Sequence, residues 1–285
     1  TCAYGQFVPQ GLLDIPPYGC INIHASLLPK LRGGAPIQHA LIDGFDVTGV
    51  TLMEMIRKMD AGRMYAKVET EITDEDTYDS LHDRLKVLGA ELILNNLELY
   101  LEGKLEGIPQ DENEVTISPN ISKEEEHLDF NKTSREVFNH IRGLSSIPGA
   151  YFRYNNETVK VYKSKIIRTN SSEENGTIIN ISKDSIDIKT SDGAIGILEF
   201  QLQGKTRIKV KDYLNGKKTT AKKVNGINWE TLTLNNTVDN KNTTSKVFVT
   251  EKGGTIYTVS VMSFNEANID LKELSEVFIN GVTLK

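Results

Sequence analysis

Apolar positions along the chain fall into three regimes of spacing. Between Thr77 and Glu102, Leu81, Leu85, Leu88, Leu92 and Leu99 recur at intervals of three, four and seven, the spacing that gathers side chains on one face of an α-helix. The acidic stretch Thr73-Asp74-Glu75-Asp76 precedes this run and Gly103 follows it, which predicts one long helix covering a sheet. Shorter helices are expected from Gln10 to Pro17, from Ala35 through Ile37, Ala40 and Leu41 to Gly44, and after the capping pair Thr133 and Glu136 through Val137, Ile141 and Leu144. A second regime alternates with period two over Met64 to Ile72, and again over Ala150–Tyr154, Thr158–Ser164, Thr177–Ile181, Ser185–Thr190 and Ala194–Gln203. The last five runs are separated by turn residues such as Asn155-Asn156 and Asp192-Gly193, and their spacing predicts a small barrel of OB type. In the third regime the apolar residues crowd together. Cys20, Ile21 and Ile23, bracketed by Gly19 and Pro29, read as a buried parallel strand, and Val50, Leu52 and Met53 as the centre of another from Val47 to Ile56.

Elsewhere the periodicity fails. Leu105 to Lys123, with Pro109 and Pro119, reads as the link between two domains, and Asn225 to Thr244, rich in Asn and Thr, as a second linker. Beyond it, Lys246–Glu251, Thr255–Phe264 and a hairpin around Asn280-Gly281 give a β-rich tail with no chemistry attached.

Composition narrows the classes. The chain of 285 residues has room for two domains and a small third. A net charge of -6 excludes a protein that is basic all over, so a nucleic-acid contact must be a local patch. Lys205, Arg207, Lys209, Lys211, Lys217 and Lys218 form such a patch. By itself it is a solvated surface; beside a small barrel it becomes a track for backbone phosphates. Cys2 and Cys20 make no disulfide framework and fit a reducing, cytoplasmic setting, and no apolar run reaches the length of a membrane span. A monomer is expected. The five histidines, His24, His39, His82, His127 and His140, lack companion ligands at metal spacing, so no metal is expected, and His39 reads as a polar-face residue.

The candidate chemistry lies where the first strand ends. Asn22 and His24 share a face by the period of two, near the strand's carboxyl end. An amide beside an imidazole can hydrogen-bond an oxygen on which charge develops, and the imidazole can also move a proton. Taken alone, the pair is more often a strand end satisfied by a turn than a catalytic pair. Asp60, in Lys58-Met59-Asp60-Ala61-Gly62, is by itself a turn former or a helix cap.

The complete run, Asn22-x-His24, then Ser26-Leu27-Leu28-Pro29, then Arg32-Gly33-Gly34-Ala35-Pro36, resembles the signature of the 10-formyltetrahydrofolate-dependent formyltransferases, and the likeness extends from Thr1 to about Lys218. It implies an α/β fold class: a partial Rossmann-like catalytic domain over 1–118, an OB-like RNA-binding domain over 119–223, and a linker with an unassigned β-rich tail over 224–285. Family members carry further strands before the position of Thr1, so the chain is expected to enter in mid-fold. The resemblance makes Asn22, His24 and Asp60 catalytic, with Asp60 orienting His24, and puts Ser26, Leu27, Leu28 and Pro29 on the folate. The entry Lys123-Glu124-Glu125-Glu126, Ile147-Pro148 and the end Asp212-Tyr213-Leu214-Asn215-Gly216 resemble the carboxyl-terminal domain of the tRNA-acting branch. Implied partners are therefore 10-formyltetrahydrofolate as co-substrate and initiator methionyl-tRNA as formyl acceptor, with Arg32 and the six basic residues on the tRNA. Two alternatives stay open: a formyltransferase acting on a small amine or sugar nucleotide, and a non-catalytic fragment that binds folate or RNA.

Overall fold

Strand β1 (Ile21–His24) pairs antiparallel with β2 (Val47–Glu54), and β2 pairs antiparallel with β3 (Met64–Glu71). The computed structural model describes residues 8–154 and 156–214 with their side chains, and beyond them the backbone of 215–216 and of four strands within 219–264. The parallel pairing expected of β1 is not among the described contacts, where its partner is β2. Crowded apolar residues report burial on both faces, not strand direction. Ile21 and Ile23 do pack against the core on one face, while His24 is buried on the other.

That core is made by Leu31, Ile37, Ala40, Leu41, Val50, Leu52, Ile72, Leu81, Leu85 and Leu92. Helix α1 (Gln10–Leu13) precedes β1, and α2 (Pro36–Ile42) lies between β1 and β2 with proline in its first turn, where no intrahelical partner for the missing N–H is needed. Helix α3 (Tyr78–Leu101) covers the sheet as expected. Thr77 caps it, its hydroxyl accepting from the Ser80 N–H while the Ser80 hydroxyl accepts from the Thr77 N–H. Gly89 lets α3 approach closely, since a Cβ there would sit 3.0 Å from Ile23 Cγ2. Leu99, expected on the buried stripe, is 40% exposed instead. A repeat of seven drifts around a helix of 3.6 residues per turn, so the far end of the stripe rotates off the sheet.

The segment 105–123, read above as a link, is tied down at both ends. Ile108 bridges to Met64 and Ile117 to Arg32. Single bridges leave no repeating side-chain pattern, which is why no periodicity announced them. Helix α4 (Ser134–Gly143) follows, with the expected capping box of Thr133 and Glu136 and with Val137, Ile141 and Leu144 buried. Gly143 packs it against α2, for a Cβ there would come within 2.7 Å of Ile42 Cγ1. All five alternating runs are strands: β4 (Ala150–Tyr154), β5 (Glu157–Ile167), β6 (Ile178–Ile181), β7 (Ile186–Lys189) and β8 (Ala194–Leu202). They pair in the order β4-β5-β8-β7-β6. This is an open path, and no pair closes β4 onto β6 among the described residues.

The chain divides into two compact units, 1–208 and 209–285, with the two-residue strand β9 (Ile208–Lys209) at the division. The second unit begins with α5 (Val210–Gly216) and holds an antiparallel meander of β10 (Thr219–Val224), β11 (Ile227–Val238), β12 (Lys241–Lys252) and β13 (Thr255–Phe264). The expected linker at 225–244 is thus largely strand. Its Thr, Val and Trp residues favour extended backbone, and this outweighs the asparagines that suggested a linker. The hairpin expected at Asn280-Gly281 lies outside the described residues. Among the described residues no helix is long and apolar enough to cross a membrane.

Ahead of α3, the buried Asp76 accepts from the Thr73 N–H, the Ser80 hydroxyl and both terminal nitrogens of Arg84. Burial alone would raise its pKa, but the hydrogen bonds from Arg84, Thr73 and Ser80 outweigh burial and bring it from 3.8 down to about 2. A depressed carboxyl stabilises the fold above its unfolded pKa and loses that contribution as pH falls through the folded one. Asp76→Asn should lower the free energy of unfolding by about 2 kcal/mol at neutral pH, and the gap to the unsubstituted chain should close between about pH 4 and pH 2 in urea titrations.

Candidate active site

His24 ends β1 and is 5% exposed. Its Nε2 lies 2.9 Å from the Leu31 carbonyl oxygen, which can only accept, so Nε2 carries the proton. Its Nδ1 faces Asp60 Oδ1 at 3.7 Å, longer than a hydrogen bond and within ion-pair reach once the ring is charged. The structure therefore brings together His24 and Asp60, which stand far apart in sequence. Asn22 is half-buried and shares the His24 face of β1 by strand alternation.

Both partners of His24 come from strained backbone. Leu31 has φ +59° and Asp60 φ +48°, left-handed conformations that non-glycine residues adopt only when their surroundings impose them. For Leu31 the restraints are its N–H on the Thr116 hydroxyl at 2.8 Å, its buried side chain, and a carbonyl that also accepts from the Ser118 hydroxyl at 3.0 Å. Asp60 Oδ2 accepts from the Gly33 N–H at 2.9 Å. Gly33, at φ +127°, must be glycine, since a Cβ would meet the Ser118 carbonyl oxygen at 2.4 Å.

The residues expected on the folate stand on the loop after β1. Ser26, Leu28 and Pro29 are buried, and Leu27 keeps partial exposure. The Ser26 hydroxyl donates to the Lys30 carbonyl at 2.6 Å, and the Ser26 carbonyl and Leu28 N–H both engage the Thr51 hydroxyl. Lys67 Nζ donates to the Leu28 carbonyl, and burial pushes this lysine below its ordinary pKa. These hydrogen bonds hold the loop in place, and of the four residues Leu27 alone keeps partial exposure.

Arg32 departs from expectation. It was placed on the tRNA, yet it is 2% exposed, with Nε on Gln110 Oε1 at 2.9 Å and a terminal nitrogen on Glu112 Oε1 at 3.0 Å. A guanidinium held this way braces the loop from inside and has no reach to a phosphate. Lys58 and Arg32 together hold the Glu112 carboxyl below its ordinary pKa. His39 is likewise buried instead of lying on a polar face, its Nε2 donating to the Pro119 carbonyl at 3.1 Å. Thr51, Gln110, Thr116 and Ser118 were not singled out in the sequence, because 105–123 had been set aside as a link and a lone strand threonine carries no motif.

Of the basic patch, Lys205, Arg207, Lys209 and Lys211 are exposed. Arg207 is committed, since its guanidinium pairs with Glu199 at 2.8 and 3.1 Å and stacks on the Tyr162 ring 4.3 Å away. Lys217 and Lys218 lie outside the described residues. Surface hollows of about 580 and 220 Å³ open on the β4 to β8 sheet, away from His24. The site is marked by converging polar groups and strained backbone.

Two family models match the chain, "Formyl transferase" over residues 1–97 and "Formyl transferase, C-terminal domain" over 120–218. Methionyl-tRNA formyltransferase of Staphylococcus aureus (strain MW2) is 44% identical over 221 residues, covering 77% of this chain and 71% of that protein. The chain belongs to the formyl transferase family. Between the matched stretches of this formyl transferase lies 98–119, which contains the segment that restrains Leu31, Arg32 and Asp60. Among solved structures, HypX from Aquifex aeolicus in complex with tetrahydrofolic acid superposes with a TM-score of 0.54 at 21% identity, over 68% of this chain and 34% of that one. The N-formyltransferase from Helicobacter canadensis in complex with folinic acid and dTDP-3-aminofucose gives 0.52 at 23% identity, over 62% and 65%. Both likenesses show the fold; the chain spans about a third of HypX and just under two thirds of the Helicobacter protein.

Gly33→Ala tests how tightly the loop is held. The left-handed backbone and the encounter with the Ser118 carbonyl should together cost roughly 2–4 kcal/mol of stability, read by chemical denaturation, whereas Gly103→Ala, which meets nothing within 4 Å, should cost only its backbone strain of about 1 kcal/mol.

Proposed function

We propose that the chain transfers a formyl group from 10-formyltetrahydrofolate to the α-amino group of initiator methionyl-tRNA in the cytoplasm. The observation that carries the reading is the meeting of His24 Nδ1 with Asp60 Oδ1 at the end of β1, on the face that Asn22 shares. Identity of 44% to methionyl-tRNA formyltransferases over 221 residues supports this acceptor over a sugar nucleotide.

The folate supplies an activated formyl group on N10; the rest falls to side chains of this chain. With Nε2 protonated, the free lone pair of His24 is on Nδ1, so the ring takes the proton from the attacking amine there and returns it to N10 as the bond between the formyl carbon and N10 breaks and tetrahydrofolate leaves. Asp60 stabilises the charge that results and orients the ring. The Asn22 amide donates to the formyl oxygen as negative charge develops on it. His24 can join through Nε2 only by giving up the Leu31 carbonyl, so oxygen stabilisation rests first on Asn22. The loop 26–29 fits a folate through Leu27 and main-chain groups, since the Ser26 hydroxyl is already spent.

In this reading 1–118 is the catalytic domain and 119–223 an OB-like domain that follows the tRNA backbone with Lys205, Lys209, Lys211, Lys217 and Lys218, while 224–285 has no assigned role. Arg207, tied to Glu199, contributes less charge to that contact.

The test is a formyl-transfer assay with charged initiator tRNA and 10-formyltetrahydrofolate. His24→Ala and Asp60→Asn should each lower kcat by about a hundredfold or more, and tRNA affinity should fall by about tenfold or more between ~50 and ~200 mM salt. Transfer to a small amine or sugar nucleotide with no binding of tRNA would replace the acceptor. Binding of folate or RNA without transfer, in this chain and in a version extended at the amino terminus, would replace the enzymatic reading.

A further inference from the structure

Gln110 has been given no part in catalysis, folate or RNA contact, yet its side-chain amide is fully used within the site. Nε2 donates to the carbonyl oxygens of Asp60 and Gly62, both at 2.8 Å, and Oε1 accepts from Arg32 Nε at 2.9 Å. The two carbonyls bracket the turn that presents the Asp60 carboxylate, and Asp60 holds φ +48° there. Such backbone persists where the surroundings over-determine it. Asp60 has two restraints of this kind: its Oδ2 on the Gly33 N–H, and its own carbonyl on Gln110. The constellation suits a glutamine in particular. A planar amide offers two N–H groups and an acceptor at one tip, while glutamate lacks the donors, arginine lacks the acceptor, and asparagine is one methylene short.

We propose that Gln110 is a positioning residue for formyl transfer, fixing the Asp60 turn so that Oδ1 faces His24 Nδ1. The inference rests on the reading of Asp60 and His24 as the pair that handles the proton. Gln110 acts through Asp60. The same amide joins the turn to Arg32, which continues to Glu112 and from there to Lys58, so the acid and the loop that orients the imidazole are braced by one network.

The experiment uses two variants. Gln110→Met keeps the length and removes all three hydrogen bonds; Gln110→Glu keeps an oxygen for Arg32 and loses both donors. Each should lower kcat by about tenfold or more while the KM for the formyl donor stays within about twofold, because misplacement of the acid affects the reacting geometry more than binding. In an Asp60→Asn background neither should lower kcat further. Wild-type kcat in Gln110→Glu would show that the glutamine serves Arg32 alone, and losses that multiply with Asp60→Asn would show that it does not act through the acid; either result overturns the proposal. Exchange of the Gly33 amide, which donates to Asp60 Oδ2, gives a readout independent of turnover. Gln110→Met should speed that exchange in the direction that Asp60→Asn does, because a turn released from its glutamine no longer holds the carboxylate on the amide. Faster exchange in a chain that transfers no formyl group would leave the positioning standing and remove the enzymatic reading, whereas unchanged exchange would overturn the positioning.

Discussion

The peptide groups after β1 are satisfied by a segment some 85 residues further along, and the chemistry of the site depends on that exchange. The Arg32 N–H donates to the Thr116 carbonyl, the Ser118 N–H to the Arg32 carbonyl and the Ala35 N–H to the Ser118 carbonyl, at 2.9, 2.7 and 3.2 Å. A buried loop must find partners for its main-chain groups or forfeit the free energy of each unmade bond. Here the partners do more than satisfy it. They hold Leu31 in left-handed backbone with its carbonyl toward His24, and they hold Gly33 with its N–H toward Asp60. One short ladder therefore sets the tautomer of the imidazole and one oxygen of the acid that faces it.

The ladder is anchored beyond its own residues. His39, on α2, reaches the Pro119 carbonyl, and His140, on α4, reaches the Glu125 carbonyl at 2.6 Å. Burial pushes His140 below its ordinary pKa, which keeps it neutral with its proton on the nitrogen that donates. From the other side of α4, Arg142 donates to the Thr73 carbonyl and Arg135 pairs with Asp74. The turn ahead of α3 is thus tied to α4, while His39 and His140 meet the stretch from Pro119 to Glu125, and residues 119–144 are joined to the site region by hydrogen bonds as well as by packing.

Much of this was legible in the sequence. The leucine stripe of α3, the capping box of α4 and five alternating strands were plain because each has a period, and Asn22-x-His24 was plain because it is a contiguous motif at a strand end. Strand direction was hidden, since the burial that makes a run apolar is the same for either pairing. Arg32 was misjudged because an arginine in a glycine-rich loop looks exposed until its partners, Gln110 and Glu112, are placed beside it. Those partners carried no signal of their own: irregular backbone held by single bridges leaves no repeat, and the asparagine-rich stretch 225–244 shows the converse, a composition suggesting a linker where the chain is largely strand. The spatial link between His24 and Asp60 was expected from resemblance alone and has no counterpart in spacing.

Amide hydrogen exchange tests the dependence on the ladder most directly. If the loop after β1 and the segment beyond α3 form one cooperative unit, the N–H groups of Arg32, Gly33, Ala35 and Ser118 should exchange at a common slow rate, close to that of the Val50 and Leu52 amides in β2. Exchange of Ser118 and Arg32 near the rate of free peptide while β2 stays protected would contradict the account, because the loop would then be held by something other than its partner segment.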